Sequence, residues 1–241
     1  MSIARAQQPS RDKLRLASVG DEYLGLDPNV GPWRDPDVQI TGPGGAACAA
    51  HLPWGLVLGE DHTGMKLGGE NPSGADTLAM VILISPVNKL ESAELFFVHV
   101  LNAANDRIWI ATPYFVPDPA VMAALRLAAM RGVDVRVIFP LKSDNPVLDL
   151  ATLWFVQELD GIGIRFYLHM PGSMHQKVLL VDDDVSTVAS SNFDNRSFLP
   201  QFEINALMVD KASEPRSSAC SGTTSRSPSP MSLRHSRGRR S

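Results

Sequence analysis

His175 and Lys177 stand two residues apart in MHQKVLLVD, a stretch that reads as a strand, so both side chains point to one face. An imidazole, with an ordinary pKa of about 6.5, can attack a centre or move a proton near neutral pH, and the lysine is a compact cation beside it. Asp182 follows at the strand's end. Ser190 and Asn192 are again two apart, at the end of the next strand, and Glu203 opens the last one. Their neighbours Val178, Leu179, Leu180, Phe193, Phe202 and Ile204 are residues that a sheet buries, and polar groups entering such a core need partners. A histidine, a lysine, an amide, a hydroxyl and a carboxylate converging there form a cationic, hydrogen-bonding pocket. Such a pocket suits a phosphate.

Other features carry less chemistry. Asp182-Asp183-Asp184 reads as a turn between two strands rather than a metal site. Cys48 and Cys220 lie far apart in no metal-like spacing, which excludes a disulfide scaffold and a cysteine zinc site and fits a reducing compartment. No cofactor or metal is expected. The glycines of GPGG (42–45) are not followed by Lys-Ser/Thr, so this is a turn and not a phosphate-cradling loop.

The site residues need elements to hold them, and from Lys89 to Asp210 helix and strand patterns alternate. Leu95, Val98 and Leu101 are spaced for a helix over 89–105, and RIWIATPYF (107–115) reads as a strand stopped by Pro117. Asp118 is the expected N-cap of a helix over 119–131, with Pro119 at the position where a missing N–H costs nothing and Gly132 closing it. VDVRVIFP (133–140) alternates as a strand. Asn145 caps a helix that starts at Pro146 and runs to about residue 160. Further strands are expected over 164–168, 177–182, 186–190 and 202–209. Strands interleaved with helices indicate an α/β fold, and the late run of strands makes the sheet mixed, with helices flanking it.

The 241 residues allow one large domain or two small ones, enough for a core without covalent staples. The net charge of −4 conceals an asymmetry, because residues 211–241 hold seven Lys/Arg against one Glu and leave −10 on the 210 residues before them. An acidic body argues against nucleic acid, which is held mainly by Lys and Arg. The basic end, with ten serines and few large aliphatic side chains, reads as a disordered tail. Glycines and prolines from Gly42 to Gly74 suggest loops or a lid. The longest strongly apolar run, 78–84, is too short to span a bilayer, and the first twenty residues lack the apolar core of a signal peptide.

HQKVLLVD (175–182) followed by ASSN (189–192) resembles the signature of the phospholipase D superfamily. ATPYFVPD (111–118), RGVDVRVIFP (131–140) and SSNFDNRSFLPQFEINALMVD (190–210) are similar to bacterial cardiolipin synthases. GDEYLGLDPNVGPWRD (20–35) resembles the segment after the first of that family's two HKD motifs. Residues 1–16 contain no histidine, Pro36-Asp37 stands where relatives have Thr-His, and Ala189 replaces a glycine. The chain thus resembles a truncated member with the second motif alone. On this reading 1–16 is unmatched, 17–85 is a remnant of a first lobe with connecting loops, 86–210 is a phospholipase D-like lobe, and 211–241 is the tail.

The resemblance implies metal-free phosphodiester transfer in two displacements at one phosphorus, through a phosphohistidine. It makes His175 the nucleophile or the general acid/base. Lys177 and Asn192 become the phosphate-binding pair, with Ser190 assisting. Glu203 becomes the acid that accepts from the other imidazole nitrogen. Asp182 completes the catalytic signature by tying its loop. It further implies an anionic phospholipid such as phosphatidylglycerol as substrate and a membrane surface as partner, reached from a peripheral or cytoplasmic position. Three functions stay open: a phosphatidyltransferase, a hydrolase of the same superfamily, and a non-catalytic half-site. A homodimer is expected to supply the second histidine.

Overall fold

The fold is that of a computed structural model, which describes residues 13–16, 33–36, 38–41, 65–67, 77–84, 92–143, 145–170, 172–194, 203–210 and 229–230. Most of the Gly42–Gly74 segment and of the basic tail lies outside the described residues.

Four short strands come first: β1 (Lys13–Leu16), β2 (Trp33–Arg34), β3 (Val38–Thr41) and β4 (Met65–Leu67). The apolar run then forms β5 (Thr77–Ile84), and α1 (Ser92–Ala103) leads into β6 (Arg107–Ala111). The strand expected over 107–115 breaks after Ala111. Thr112 N–H donates to the carbonyl of Ile138 and its hydroxyl to that of Tyr114, which turns the chain before the two-residue β7 (Phe115–Val116).

Helix α2 (Pro119–Met130) starts where its cap dictates. Asp118 Oδ1 accepts from the N–H groups of Ala120 and Val121 at 2.8 and 2.9 Å, satisfying two donors that have no partner within the helix. Val121, Met122, Leu125 and Ala128 recur at helical spacing and are all buried. Leu125 is wholly covered, worth about 2–3 kcal/mol against leaving it in water, so an aspartate there would break this packing. Gly132 ends the helix at φ 91°, a conformation that a Cβ disfavours. Strand β8 (Asp134–Pro140) follows, and Asn145 caps α3 (Pro146–Glu158) in the same way.

The remaining strands are β9 (Arg165–His169), β10 (Ser173–Met174), β11 (Val178–Val181), β12 (Val185–Ala189), β13 (Phe193–Asp194), β14 (Glu203–Asp210) and β15 (Ser229–Pro230). The main sheet has the order β15-β9-β8-β6-β11-β12-β14-β5-β4. β6, β8 and β9 are parallel, joined through α2 and α3, and the other pairings are antiparallel. This is the expected mixed sheet. β5 pairs with β14 along all eight residues, from Thr77 to Ile84.

Burial alternates along β6 and β8, with Ile108, Ile110, Val135, Val137 and Phe139 inward. They join Phe97 and Leu101 of α1, Leu125 of α2, Val156 of α3 and Leu179 of β11 in one core. Register then gathers the chemistry. Val178 pairs with Ala111, and Ala189 with Asn205, so the start of β11, the ends of β12, β6, β8 and β9, and the start of β14 all meet at one end of the sheet. In parallel sheets this end, past the carboxyl termini of the strands, is where ligands bind.

Candidate active site

His175 and Lys177 do not lie on a strand, as their spacing suggests, but in the extended link between β10 and β11. The link is tied on both sides. His175 N–H donates to the carbonyl of Arg34 at 2.9 Å, and Ala189 N–H to that of Lys177 at 2.9 Å. β10 pairs in parallel with β2, Met174 opposite Arg34, which brings the next residue, Asp35, to the imidazole. Asp35 Oδ2 lies 3.4 Å from His175 Nδ1. Lys177 Nζ is 2.8 Å from His175 Nε2 and also donates to the His175 carbonyl at 2.8 Å. Both side chains are buried, Lys177 to 5% exposure.

An ammonium only donates, so a neutral His175 that accepts at Nε2 from Lys177 carries its ring proton on Nδ1, facing Asp35. The sequence reading gives the post at the other ring nitrogen to Glu203. In the structure Asp35 lies at that nitrogen, and Glu203 accepts a hydrogen bond from the Ser190 hydroxyl. The reason is register: β12 and β14 are neighbours with Ala189 opposite Asn205, so Ser190 comes opposite Ile204, next to Glu203.

Ser190 has a single O–H, and it is committed to Glu203, while its oxygen accepts from Ile204 N–H at 2.8 Å. Its placement is that of a residue positioning Glu203. Ser190 and Asn192 also sit beyond the strand, which ends at Ala189. Asn192 is fixed through its successor, because Phe193 N–H donates to the buried Thr112 hydroxyl at 3.2 Å and the Phe193 ring packs 4.9 Å from Phe97.

Asp182 lies elsewhere. The residues of β11 carry it about 16 Å along the strand from Lys177. There, at φ 51°, it opens the triple-aspartate turn. Its carboxylate accepts from the N–H groups of Asn105, Asp106 and Arg107, clamping the start of β6. Burial pushes its pKa up, but these backbone donors outweigh that and hold it below the usual carboxylate value.

Three further residues were not singled out from the sequence. Asp35 could have been found only through the WRD of the N-terminal block. Asn205 is wholly buried two residues after Glu203 and accepts from Ser191 at 3.0 Å, while its Nδ2 has no partner. His169, at the end of β9, is buried, and that burial, helped by the Arg34 guanidinium, pushes its imidazole below its ordinary value. Among the described residues, no three His, Cys, Asp or Glu side chains gather as a metal-holding group, and no helix is long and apolar enough to cross a membrane.

A mixed sheet with parallel β6, β8 and β9, and a His-x-Lys pair at their carboxyl end, defines a phospholipase D-like domain. The chain belongs to the family described as cardiolipin synthase, PLD-like domain, whose model matches residues 97–217. It is 42% identical over 206 residues to cardiolipin synthase A of Pseudomonas entomophila (strain L48), covering 81% of this chain and 41% of that protein. Cardiolipin synthase A of Pseudomonas putida F1 is 42% identical over 194 residues, covering 80% and 40%. The chain thus spans about two fifths of the length of these relatives. The phosphatidylserine synthase of Haemophilus influenzae Rd KW20 shares the fold, with a TM-score of 0.62 at 14% identity over 83% of this chain and 56% of that one.

Proposed function

We propose that this chain is a phosphatidyltransferase of the cardiolipin synthase type. The observation that carries the reading is the Asp35–His175–Lys177 line, in which the buried Lys177 Nζ lies 2.8 Å from His175 Nε2 and Asp35 Oδ2 lies 3.4 Å from Nδ1. A phosphate oxygen of an anionic phospholipid such as phosphatidylglycerol takes over the Lys177 hydrogens and releases the Nε2 lone pair. Nε2 attacks phosphorus, the bond to the leaving alkoxide breaks, and a phosphohistidine forms. The alkoxide takes its proton from a second imidazole. That imidazole next accepts the proton of an incoming lipid hydroxyl, whose oxygen displaces His175 and restores the P–O bond. Asp35 offsets the positive charge that grows on the His175 ring, as buried carboxylates do behind other reacting histidines. Lys177 and Asn192 hold the non-bridging oxygens, and Ser190 and Glu203 complete the polar wall.

HQKVLLVD (175–182) supplies one imidazole to this site. We assign the second imidazole to His175 of another copy, so that each chain supplies one role. A membrane surface is then the natural source of both lipids, approached from a peripheral position. A hydrolase reading shares every step but the last, with water in place of the lipid hydroxyl.

The test is incubation with phosphatidylglycerol vesicles, scoring products. Cardiolipin is the expected product. Phosphatidic acid alone would shift the reading to a phospholipase D-like hydrolase, and no product from a folded dimer would favour a non-catalytic half-site.

A further inference from the structure

Helix α3 is apolar where it faces solvent. Only Thr152 and Val156 are buried, while Val147, Leu150, Leu153 and Trp154 are exposed at 73, 70, 41 and 55%. At 100° per residue these four fall within one arc of about 120°, forming an apolar stripe on the solvent side. Asp149 is off the stripe, bonded to Ser143, and the stripe meets no acid before Glu158. Leu141, just past β8, and Met170, just past β9, are exposed at 54 and 52%. Both follow strands whose ends form the site, and Met170 precedes His175 by five residues. The exposed Lys142 stands next to Leu141.

We propose that this patch docks the domain on an anionic lipid surface, with the first turns of α3, Leu141 and Met170 entering the headgroup boundary beside the site. Three observations favour a bilayer over a second protein. The fractional exposures amount to roughly 600 Å² of apolar surface, short of the ~800 Å² per partner of a standard stable interface. Its chemistry is that of an interfacial anchor, with Leu and Val on the penetrating face, a tryptophan on the rim and a lysine for headgroup phosphates. It is also continuous with the sheet end where a lipid phosphodiester must arrive, whereas exposed Leu127 and Met130 lie toward the end of α2 that feeds the opposite end of the sheet. The inference rests on the phosphatidyl-transfer reading for the identity of the surface, but it can be tested apart from it.

The experiment uses the full chain and sedimentation of phosphatidylglycerol vesicles. Leu150→Ser/Leu153→Ser/Trp154→Ser should lower partitioning by about tenfold or more, with unchanged helix content and unchanged self-association. Turnover of a short-chain phosphatidylglycerol dispersed as monomers should be retained by the variant. Trp154→Phe, which keeps an aromatic ring against Phe155, should keep binding but remove most quenching of the protein's fluorescence by brominated lipid. The proposal is overturned if wild type does not sediment with vesicles, if the triple variant partitions like wild type, or if it loses self-association instead. Failure of wild type to turn over the monomeric lipid, with vesicle binding intact, would count against the phosphatidyl-transfer reading and leave the docking surface standing.

Discussion

Asp35 and His175 are separated by 140 residues in sequence and meet with 3.4 Å between Oδ2 and Nδ1. The contact depends on β2 lying beside β10, since Arg34 supplies the carbonyl that His175 N–H donates to. A segment far away in sequence therefore places a carboxylate beside the His175 imidazole. Asp35→Asn should keep the fold and lower kcat by up to about 10⁴-fold, with KM little changed. A positioning role makes a further demand: the pH profile of kcat must move, and Asp35→Glu must restore part of the rate. An unchanged profile with a lowered melting temperature would reduce Asp35 to a structural residue.

In the proposed transfer, Lys177 supplies the positive charge at the phosphate. Lys177→Met should cost about 10²–10³ in turnover, the range for loss of one donor to a developing oxyanion. Lys177→Arg should fail nearly as badly, because a planar guanidinium does not replace a point charge in a buried space filled by an ammonium. Turnover measured in excess chelator should equal that without it. Loss of activity restored by magnesium or zinc would place the charge on a metal instead.

Asp182 makes the opposite prediction, affecting stability and not chemistry. Three backbone N–H groups end on its carboxylate, so Asp182→Ala should cost about 2–3 kcal/mol, each donor to a charged group being worth more than a neutral one. Its pKa is lowered in the folded chain. The unfolded state therefore takes up the proton first as pH falls. The stabilisation is fully present above the unfolded value of about 3.9 and is lost as pH drops through the lower folded value. Denaturant midpoints of Asp182→Asn should show a shallower acid limb than wild type. If instead turnover collapses at full stability, Asp182 belongs to the chemistry.

Local signals carried most of this architecture. Asp118 and Asn145 cap helices at the expected residues because an N-cap is a one-turn interaction, readable from a few neighbours. The strands follow from alternation and β-branched content for the same reason. The aspartate turn after β11 is legible too, since Asp tolerates the left-handed region. What was not legible is long-range. β2 is two residues long and has no periodicity, so nothing in its sequence announces that it delivers Asp35 to His175. The Ser190–Glu203 bond likewise depends on the β12–β14 register, which fixes which acid reaches which hydroxyl. Position within a motif suggested Glu203 for the imidazole, and only pairing between strands could redirect it.

The last prediction concerns the second imidazole. If the second imidazole is His175 of another copy, a monomer lacks either the nucleophile or the acid, and loss of general acid help alone costs about 10²–10⁴ in rate. A twofold dimer would bring the carboxyl end of one sheet to the same end of another, because an isologous contact uses one patch twice. Activity per chain should then fall on dilution through the dimer dissociation constant. His175→Ala should be inactive alone. Mixed with wild type in threefold excess after subunit exchange, it should cut activity per wild-type chain to about a quarter, the share of wild-type chains that still meet a wild-type partner. The Asp35→Asn variant should poison mixed dimers less, since its imidazole remains. Turnover that is independent of concentration, from a protein that sediments as a monomer, would show that this chain finds its second proton carrier within itself. Buried His169, at the end of β9, would then be the first residue to replace.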